Sequence, residues 1–258
     1  MKTVKMILLT AVLTLVWGCS SDSDSDSTTA KYTFASAVKP SWSVDLSGSD
    51  TAPGWQDIDR SLYESWMYVT VKLQDELAAH AGTGDLMVAL IGDECRTRPA
   101  MPSDKYADGS VYFVLTIGGN EADRDAHIKL CYYNAALHSL FTIEAKETFA
   151  PESSYGNTAD YVPLLLQGSK KYPVQQQLTV NLPAKVPFTT SADDLVAVFA
   201  GNECRGVGSI GKPFTVFRTS AGEALQVRYY STVKAGIYSF TQNMTQNENT
   251  VQTMTLDF

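Results

Sequence analysis

The sequence has few of the residues that most often carry out chemistry in proteins. Its 258 residues include four cysteines and three histidines, the last of which is His138. Lys and Arg number 20 against 28 Asp and Glu, so the net charge is −8, and no basic cluster occurs. Because neutralising a phosphate backbone requires clustered basic side chains, we expect no nucleic-acid partner.

Sequence patterns that hold cofactors or activate nucleophiles are also missing. The chain contains no nucleophile elbow, zinc-ligand spacing, phosphate loop or calcium loop. The "GTGD" stretch at Gly82–Asp85 precedes a predicted strand and not a helix, so it is interpreted as a turn. We therefore expect a protein that is not an enzyme, with no catalytic residues, no metal site and no cofactor.

The one long apolar run lies at the N-terminus. "MILLTAVLTLVW" has twelve residues, and a stable membrane-spanning helix needs about 20. Lys2 and Lys5 precede it, and Gly18 and Cys19 follow. This pattern resembles a bacterial lipoprotein signal, which implies a signal peptide over 1–18, a lipid on Cys19 and the membrane as a partner. The alternative is an ordinary secretory signal with a chance cysteine.

Residues 19–30 have the composition of a disordered tether. The tract "SSDSDSDSTT" has no apolar residue that could join a core. Acidic residues directly after a lipidated cysteine resemble the surface-export signal of Bacteroidota lipoproteins. The resemblance implies a lipid-anchored outer-membrane protein that faces the cell exterior. The alternative is a generic solvated spacer.

The remainder of the chain contains a tandem duplication. With a shift of 109 residues, Asp85–Arg96 aligns with Asp194–Arg205, and six of the twelve residues are identical. With a shift of 97 residues, Ile128–Ile143 aligns with Leu225–Phe240. Matched blocks in the same order indicate a duplicated unit of domain size.

Short β-branched and aromatic runs dominate both copies. "VTVKL", "LMVALI" and "VYFVLTI" are separated by Gly, Asp, Asn and Ser, and "LQDELAAHAG" is the one helix-like piece. The pattern predicts an all-β chain with two tandem immunoglobulin-like antiparallel β-sandwiches. We place the first, with an N-terminal extension, at 31–166, a linker at 167–172, and the second at 173–258.

A motif of Gly, Asp or Asn, Glu, Cys and Arg occurs at 92–96 and again at 201–205. Gly followed by Asp or Asn favours a tight hairpin turn. Alternation then places Glu94 and Arg96 on one face and Cys95 on the other. We expect the thiol to face the core and the charges to face water. A catalytic thiol would require a base, and the second copy has no histidine.

Together with "YESWM", "VYFVLTI" and "NECRGVG", this motif resembles an Ig-like module that recurs in surface proteins of Bacteroidota. The resemblance covers about Trp55–Phe258 and implies a fold without an attached activity. In the first copy "RTRPAMP" replaces the "RGVG" run, which is a departure from the pattern.

Alternation in "IKLCYY" predicts that Cys131 and Tyr133 point outward, and Tyr230 corresponds to Tyr133. With Cys131 outside and Cys95 inside, we expect no disulfide bond. Outward tyrosines are candidate ligand-stacking residues, or they lie over neighbouring strands.

Trp42, Trp55 and Trp66 cluster around the irregular segment that enters the first copy. One of the three is a candidate for a partner interface, where Trp is enriched, and Trp42 and Trp55 are further candidates for ligand stacking. The alternative is that they are partly buried against the first sandwich.

These features predict a non-catalytic outer-membrane lipoprotein exposed at the cell surface. We expect a binding or accessory role in glycan or nutrient capture, or a place beside an outer-membrane importer. The alternative is an adhesin or a fimbrial-type interaction protein, which would associate by exchange of strands.

Overall fold

The computed structural model describes residues 31–156, 162–163, 166–244 and 251–258. Cys19 and the predicted signal peptide and tether lie outside these residues. Lys31–Phe258 forms one compact unit, and its regular structure is almost entirely β-strand, as the sequence predicts.

The unit contains seventeen strands, one short α-helix and two 3-10 helices in its described residues. The strands are β1 (Tyr32–Ser36), β2 (Ser65–Lys72), β3 (Leu86–Ile91), β4 (Glu94–Cys95), β5 (Tyr112–Gly119), β6 (His127–Asn134), β7 (Ser139–Thr148), β8 (Ser154–Tyr155), β9 (Val162–Pro163), β10 (Leu166–Gly168), β11 (Val174–Asn181), β12 (Leu195–Ala200), β13 (Glu203–Gly208), β14 (Pro213–Arg218), β15 (Leu225–Ser231), β16 (Gly236–Met244) and β17 (Val251–Thr255). The helix α1 spans Asp75–Ala78, and the 3-10 helices span Arg60–Leu62 and Glu121–Asp123.

Two sheets enclose the first core. One has the order β10-β7-β6-β3-β4, and the other has the order β5-β2-β8, with β9 also pairing β2. Along β2 the side chains alternate, so that Met67, Val69 and Val71 are buried while Tyr68 is exposed. They meet Leu130 and other residues of the opposite sheet in one cluster. We call this pair of sheets the first sandwich.

Two further sheets enclose the second core. Their orders are β1-β16-β15-β12-β13 and β14-β11-β17. Leu178 and Val216 from one sheet pack with Val198 and Val227 from the other. We call this pair the second sandwich. The all-β sandwich prediction is confirmed at this level.

The position of β1 differs from the sequence prediction, which assigned residues from Lys31 onward to the first sandwich. β1 pairs with β16, with Tyr32 opposite Phe240 and Ser36 opposite Gly236. In the first sandwich the equivalent edge position, beside β7, belongs to β10. The edge of the second sandwich therefore comes from the opposite end of the described chain.

Residues 37–59, which we call the strap, connect β1 to the first sandwich. Trp42 packs edge-on against Phe199 of the second sandwich, with ring centroids 5.6 Å apart. Further along, Leu46 is buried in the first core. The amide of Gly48 donates to the carbonyl of Leu137 at 2.8 Å. The strap thus contacts both sandwiches and does not lie over the first alone.

The sandwiches also pack directly on each other. Phe217 of β14 belongs to the cluster of the first core, where its ring lies 5.8 Å from that of Tyr172. The amide of Thr215 donates to Oε1 of Glu76 in α1 at 3.3 Å. The outer face of the β14-β11-β17 sheet is therefore covered by the first sandwich.

Candidate binding surface

The repeated motif forms the predicted hairpin turn in both copies. Gly92 has φ of 61° and Gly201 has φ of 60°, which is the left-handed region that a glycine adopts without strain. β3 and β4 meet at the first turn, and β12 and β13 meet at the second.

The faces of the motif are opposite to those predicted. Cys95 lies opposite Leu90, which points away from the first core, and Cys204 lies opposite Phe199 on the outer face of the second sandwich. The arginines Arg96 and Arg205 are buried instead. Alternation separated thiol from charge correctly, but it could not decide which of the two is inside.

Each buried arginine bridges two carboxylates under a tyrosine ring. Arg205 lies 2.8 Å from Glu223 and 2.7 Å from Glu203, and its guanidinium carbon is 5.0 Å from the ring centre of Tyr172. Burial alone would raise the pKa of Glu223, but hydrogen bonds from Arg205 and Thr219 outweigh it and hold that pKa below its usual value.

The first copy repeats this arrangement. Arg96 lies 2.8 Å from Asp123 and 3.2 Å from Glu94, and its guanidinium carbon is 5.1 Å from the ring centre of Tyr63. Burial and a hydrogen bond to Glu94 raise the pKa of Tyr63 to about 12. In both copies the guanidinium group is paired with carboxylates of its own sandwich, so we interpret the repeated motif as structural.

A second polar network is also duplicated. Asp85 accepts hydrogen bonds from the hydroxyl of Tyr132 at 2.7 Å and from the amide of Ala135 at 2.8 Å. Asp194 accepts from the hydroxyl of Tyr229 at 2.5 Å and from the amide of Thr232 at 2.7 Å. Both carboxylates therefore fasten the strand-end turn of their own sandwich.

The prediction that Cys131 is exposed is wrong, since only 7% of this residue is accessible. Burial raises the pKa of its thiol. Cys95 and Cys204 are half-buried, and all three are free thiols. We now expect a thiol reagent to reach Cys131 least readily.

Tyr133 and Tyr230 point away from the hydrophobic cores, as predicted, but the prediction that they stack on a ligand is corrected. Both lie outside the hydrophobic clusters, on the outer faces of their sheets, yet each is only 4% exposed. Rings this deeply covered offer no face for stacking.

The path of the strap explains the burial on the first sandwich. Asp50 is fixed at the turn between β6 and β7, where its amide donates to the carbonyl of His138 at 2.8 Å. Asp57 lies 3.9 Å from Arg98, which stands on the segment that follows β4 and runs back along the free side of β3. The strap therefore crosses the outer face that carries Cys131 and Tyr133. Alternation of the strand alone could not reveal this cover.

The two candidate tryptophans are both half-buried. Trp42 lies against Phe199 as described, and Trp55 lies in the part of the strap that crosses the first sandwich. For both residues a ligand role stays a prediction.

An exposed row of aromatic and apolar side chains lies on the outer face of β2 and β5. Trp66, Tyr68, Thr70 and Lys72 face outward from β2, opposite Gly118, Thr116, Val114 and Tyr112 of β5. Tyr68 is 47% exposed and Val114 64% exposed. Tyr106, 48% exposed, packs edge-on over Tyr112 at 5.1 Å. Tyr112 itself is only 6% exposed, so we call Trp66, Tyr68, Val114 and Tyr106 the aromatic strip.

One end of the strip is held by its neighbours. The guanidinium carbon of Arg60 lies 4.4 Å from the ring centre of Trp66, and Tyr63 packs edge-on against Trp66 at 6.0 Å. A side chain at position 118 would collide with both rings, so Gly118 lets Trp66 lie close to the sheet. The strip was not predicted from the sequence, although the start of "SWMYVTVK" alternates aromatic and aliphatic residues and indicates two apolar faces there.

The duplication makes the strip distinctive. At the aligned positions the second copy has Gln175 in place of Trp66 and Gln177 in place of Tyr68. Gln175 is buried, on the face that the first sandwich covers. In the second sandwich this sheet face packs against the first sandwich. In the first sandwich the equivalent face carries aromatic residues and is open to solvent.

Within the described residues, no cluster of three or more His, Cys, Asp or Glu side chains is arranged to hold a metal ion. None of the helices in that part of the chain is long and apolar enough to cross a membrane. Comparisons of the chain with protein-family models, curated proteins and solved structures find no match.

Proposed function

We propose that this chain is a non-catalytic lipoprotein, anchored through Cys19 in the outer membrane and exposed at the cell surface, that captures glycans. The two sandwiches would be immunoglobulin-like modules of the kind found in Bacteroidota surface proteins. Accessory work beside an outer-membrane importer fits the same role. The observation that supports binding is the aromatic strip.

The strip has the chemistry that glycan recognition requires. A sugar ring presents an apolar face of C–H groups, and an aromatic ring offers a flat apolar surface with a polar edge. Exposed apolar patches that are rimmed by polar groups mark interaction sites. Most of the strip lies on the hydrogen-bonded strands β2 and β5, so little backbone ordering entropy would oppose binding.

A substitution in the strip tests this role. Tyr68→Ala should weaken glycan binding at least about tenfold, which corresponds to about 1.4 kcal/mol, because the ring is exposed and its loss leaves the core intact. Affinity electrophoresis in neutral polysaccharides and titration calorimetry on the full chain would measure the change. Val233→Ala, an exposed apolar residue in the turn between β15 and β16, is the matched control. If Tyr68→Ala and Val233→Ala bound glycans equally well, the strip would not be the binding site.

A second substitution tests the anchor. Cys19→Ser should move the protein from the membrane fraction to the soluble fraction, because the acyl chains cannot attach to a hydroxyl at that position. Fractionation followed by alkaline washing would measure the distribution. Protease treatment of whole cells would separately test exposure at the surface. A variant that still pelleted with membranes after washing would contradict lipid attachment at this residue.

The second candidate function is an adhesin or fimbrial-type interaction protein. It is favoured by the equivalence between the strip and the face by which the second sandwich packs on the first. In that case Tyr68→Ala would abolish association between copies or with another surface protein. Neither the unsubstituted protein nor the variant would bind glycans. Sedimentation of the purified chain distinguishes the two functions.

A further inference from the structure

A groove of about 560 Å³ lies where the first and second sandwiches meet. The first sandwich contributes the end of β2 and the start of α1, and the second contributes β11 and the segment that leads into β14. The polar side chains that line it include Lys72, Asp75, Glu76, Gln177, Lys212 and Thr215.

The groove continues the aromatic strip. Lys72 is the last outward-facing residue of β2 and lines the groove. It stands six residues after Trp66 on the same face, which is about 20 Å of extended strand. A ligand that lies along the strip in this direction therefore reaches the groove without leaving the surface.

The groove is polar and its charges balance. Its ionic side chains are two lysines, Lys72 and Lys212, and two acids, Asp75 and Glu76. Gln177 and Thr215 add an amide and a hydroxyl, which already hydrogen-bond to each other at 3.0 Å. Sugar hydroxyls both donate and accept, so a mixed set of donors and acceptors suits them. A polyanion would meet the two carboxylates on a chain whose net charge is −8.

We propose that the groove is a second subsite for the glycan held on the strip, and that this glycan is a neutral chain of several sugar units. The inference rests on the proposed function and adds the ligand's charge class and length. The faces of some sugar rings stack on the strip, and the hydroxyl groups of the sugar units that follow form hydrogen bonds with side chains in the groove.

The test is a length series of neutral oligosaccharides titrated into the full chain. Cello-, malto-, xylo- and manno-oligosaccharides from disaccharide to hexasaccharide are the probes, with oligogalacturonides as acidic counterparts. Within the series that binds, affinity should rise with the number of sugar units until the oligosaccharide is long enough to enter the groove. Lys212→Ala and Gln177→Ala should then lower affinity about threefold to tenfold for long members only. Lys185→Ala, on an exposed loop of the second sandwich, is the control.

The outcomes separate this inference from the proposed function. If Tyr68→Ala weakens every member but length and the groove variants have no effect, the groove is not a subsite and the function stands. If no probe binds, or Tyr68→Ala changes nothing, the proposed function fails. Tighter binding of the acidic series, falling as salt is raised, would overturn the neutral class.

Discussion

Arg205 has a long cationic side chain that is only 5% exposed, and its partners differ sharply in exposure. Glu223 is 13% exposed and Glu203 is 73% exposed. A buried charge left without its partner is costly, whereas an exposed ion pair contributes little. The two bridges of one guanidinium therefore have unequal importance.

Arg205→Met should lower the free energy of unfolding by about 3–5 kcal/mol, because it leaves Glu223 uncompensated. Glu203→Gln should cost less than about 1 kcal/mol, since its carboxylate is solvated. Urea unfolding followed by fluorescence measures both. The double variant Arg205→Met/Glu223→Leu removes the stranded charge and should recover part of the loss. Equal costs for the two single variants would contradict the geometry described.

At this scale the sequence predicts the turn but not the burial. Gly92 and Gly201 reveal the hairpin, because only a few residue types tolerate positive φ. The burial of Arg96 and Arg205 depends on Asp123 and Glu223, which come from the loop after the next strand. Nothing in a strand pattern reports such a partner, so hydrophobicity alone suggested the opposite orientation.

β1 shows how a short element can depend on a distant one. The amide of Ala37 donates to the carbonyl of Ala235, and the amide of Thr241 donates to the carbonyl of Lys31. By alternation along an antiparallel ladder, the amide of Ala35 points at β16 and the amide of Ser36 points to solvent. Both side chains are exposed.

This difference gives a matched pair of proline substitutions. Ala35→Pro should remove a ladder hydrogen bond and destabilise the second sandwich by about 1–3 kcal/mol. Ser36→Pro should be tolerated, because proline is accepted on an edge strand where the amide faces solvent. Hydrogen exchange of peptides that cover β16 measures the effect. Similar protection in both variants would show that β1 does not depend on this ladder.

The existence of most strands follows from period-two patterns, but their partners do not. β2 and β11 could be read from their own alternation and from the duplication. The pairing of β1 with β16 could not, because it joins segments with no shared pattern and little local preference. The strap is irregular for the same reason, and its cover over Tyr133 was therefore unpredictable.

The whole unit has several carboxylates whose pKa values are depressed by folding. Hydrogen bonds from Lys171 and Ser47 lower the pKa of Asp45 to about 2. A hydrogen bond from Lys170 lowers the pKa of Asp50. The pKa values of Asp123 and Glu223 are also lowered. Burial alone would raise them, but hydrogen bonds to the two carboxylates outweigh that effect. In the unfolded chain the pKa values of these carboxylates return to about 4.

Folding stability should therefore fall in acid. A depressed carboxylate stabilises the fold above its unfolded pKa, and this stabilisation is lost as the pH falls through the folded value. The decline should begin below about pH 4.5 and continue toward about pH 2. Urea unfolding across this range measures it. Glu223→Gln should flatten the profile, whereas Val233→Ala, at an exposed position without a titratable group, should leave its shape unchanged. A profile unchanged by Glu223→Gln would contradict this assignment.

The arrangement of β1 also constrains the order in which the chain can fold. Tyr32 must meet Phe240, so the first strand of the described chain has to wait for almost the last. Pairings between such distant segments form slowly, because the entropy of closing a large loop is lost before any stabilising contact forms. During N-to-C synthesis the first sandwich can therefore assemble early, while β16 keeps a vacant edge. Docking of β1 would then be the final, rate-limiting event, observed as a slow refolding phase that Ala35→Pro alters and Ser36→Pro leaves in place.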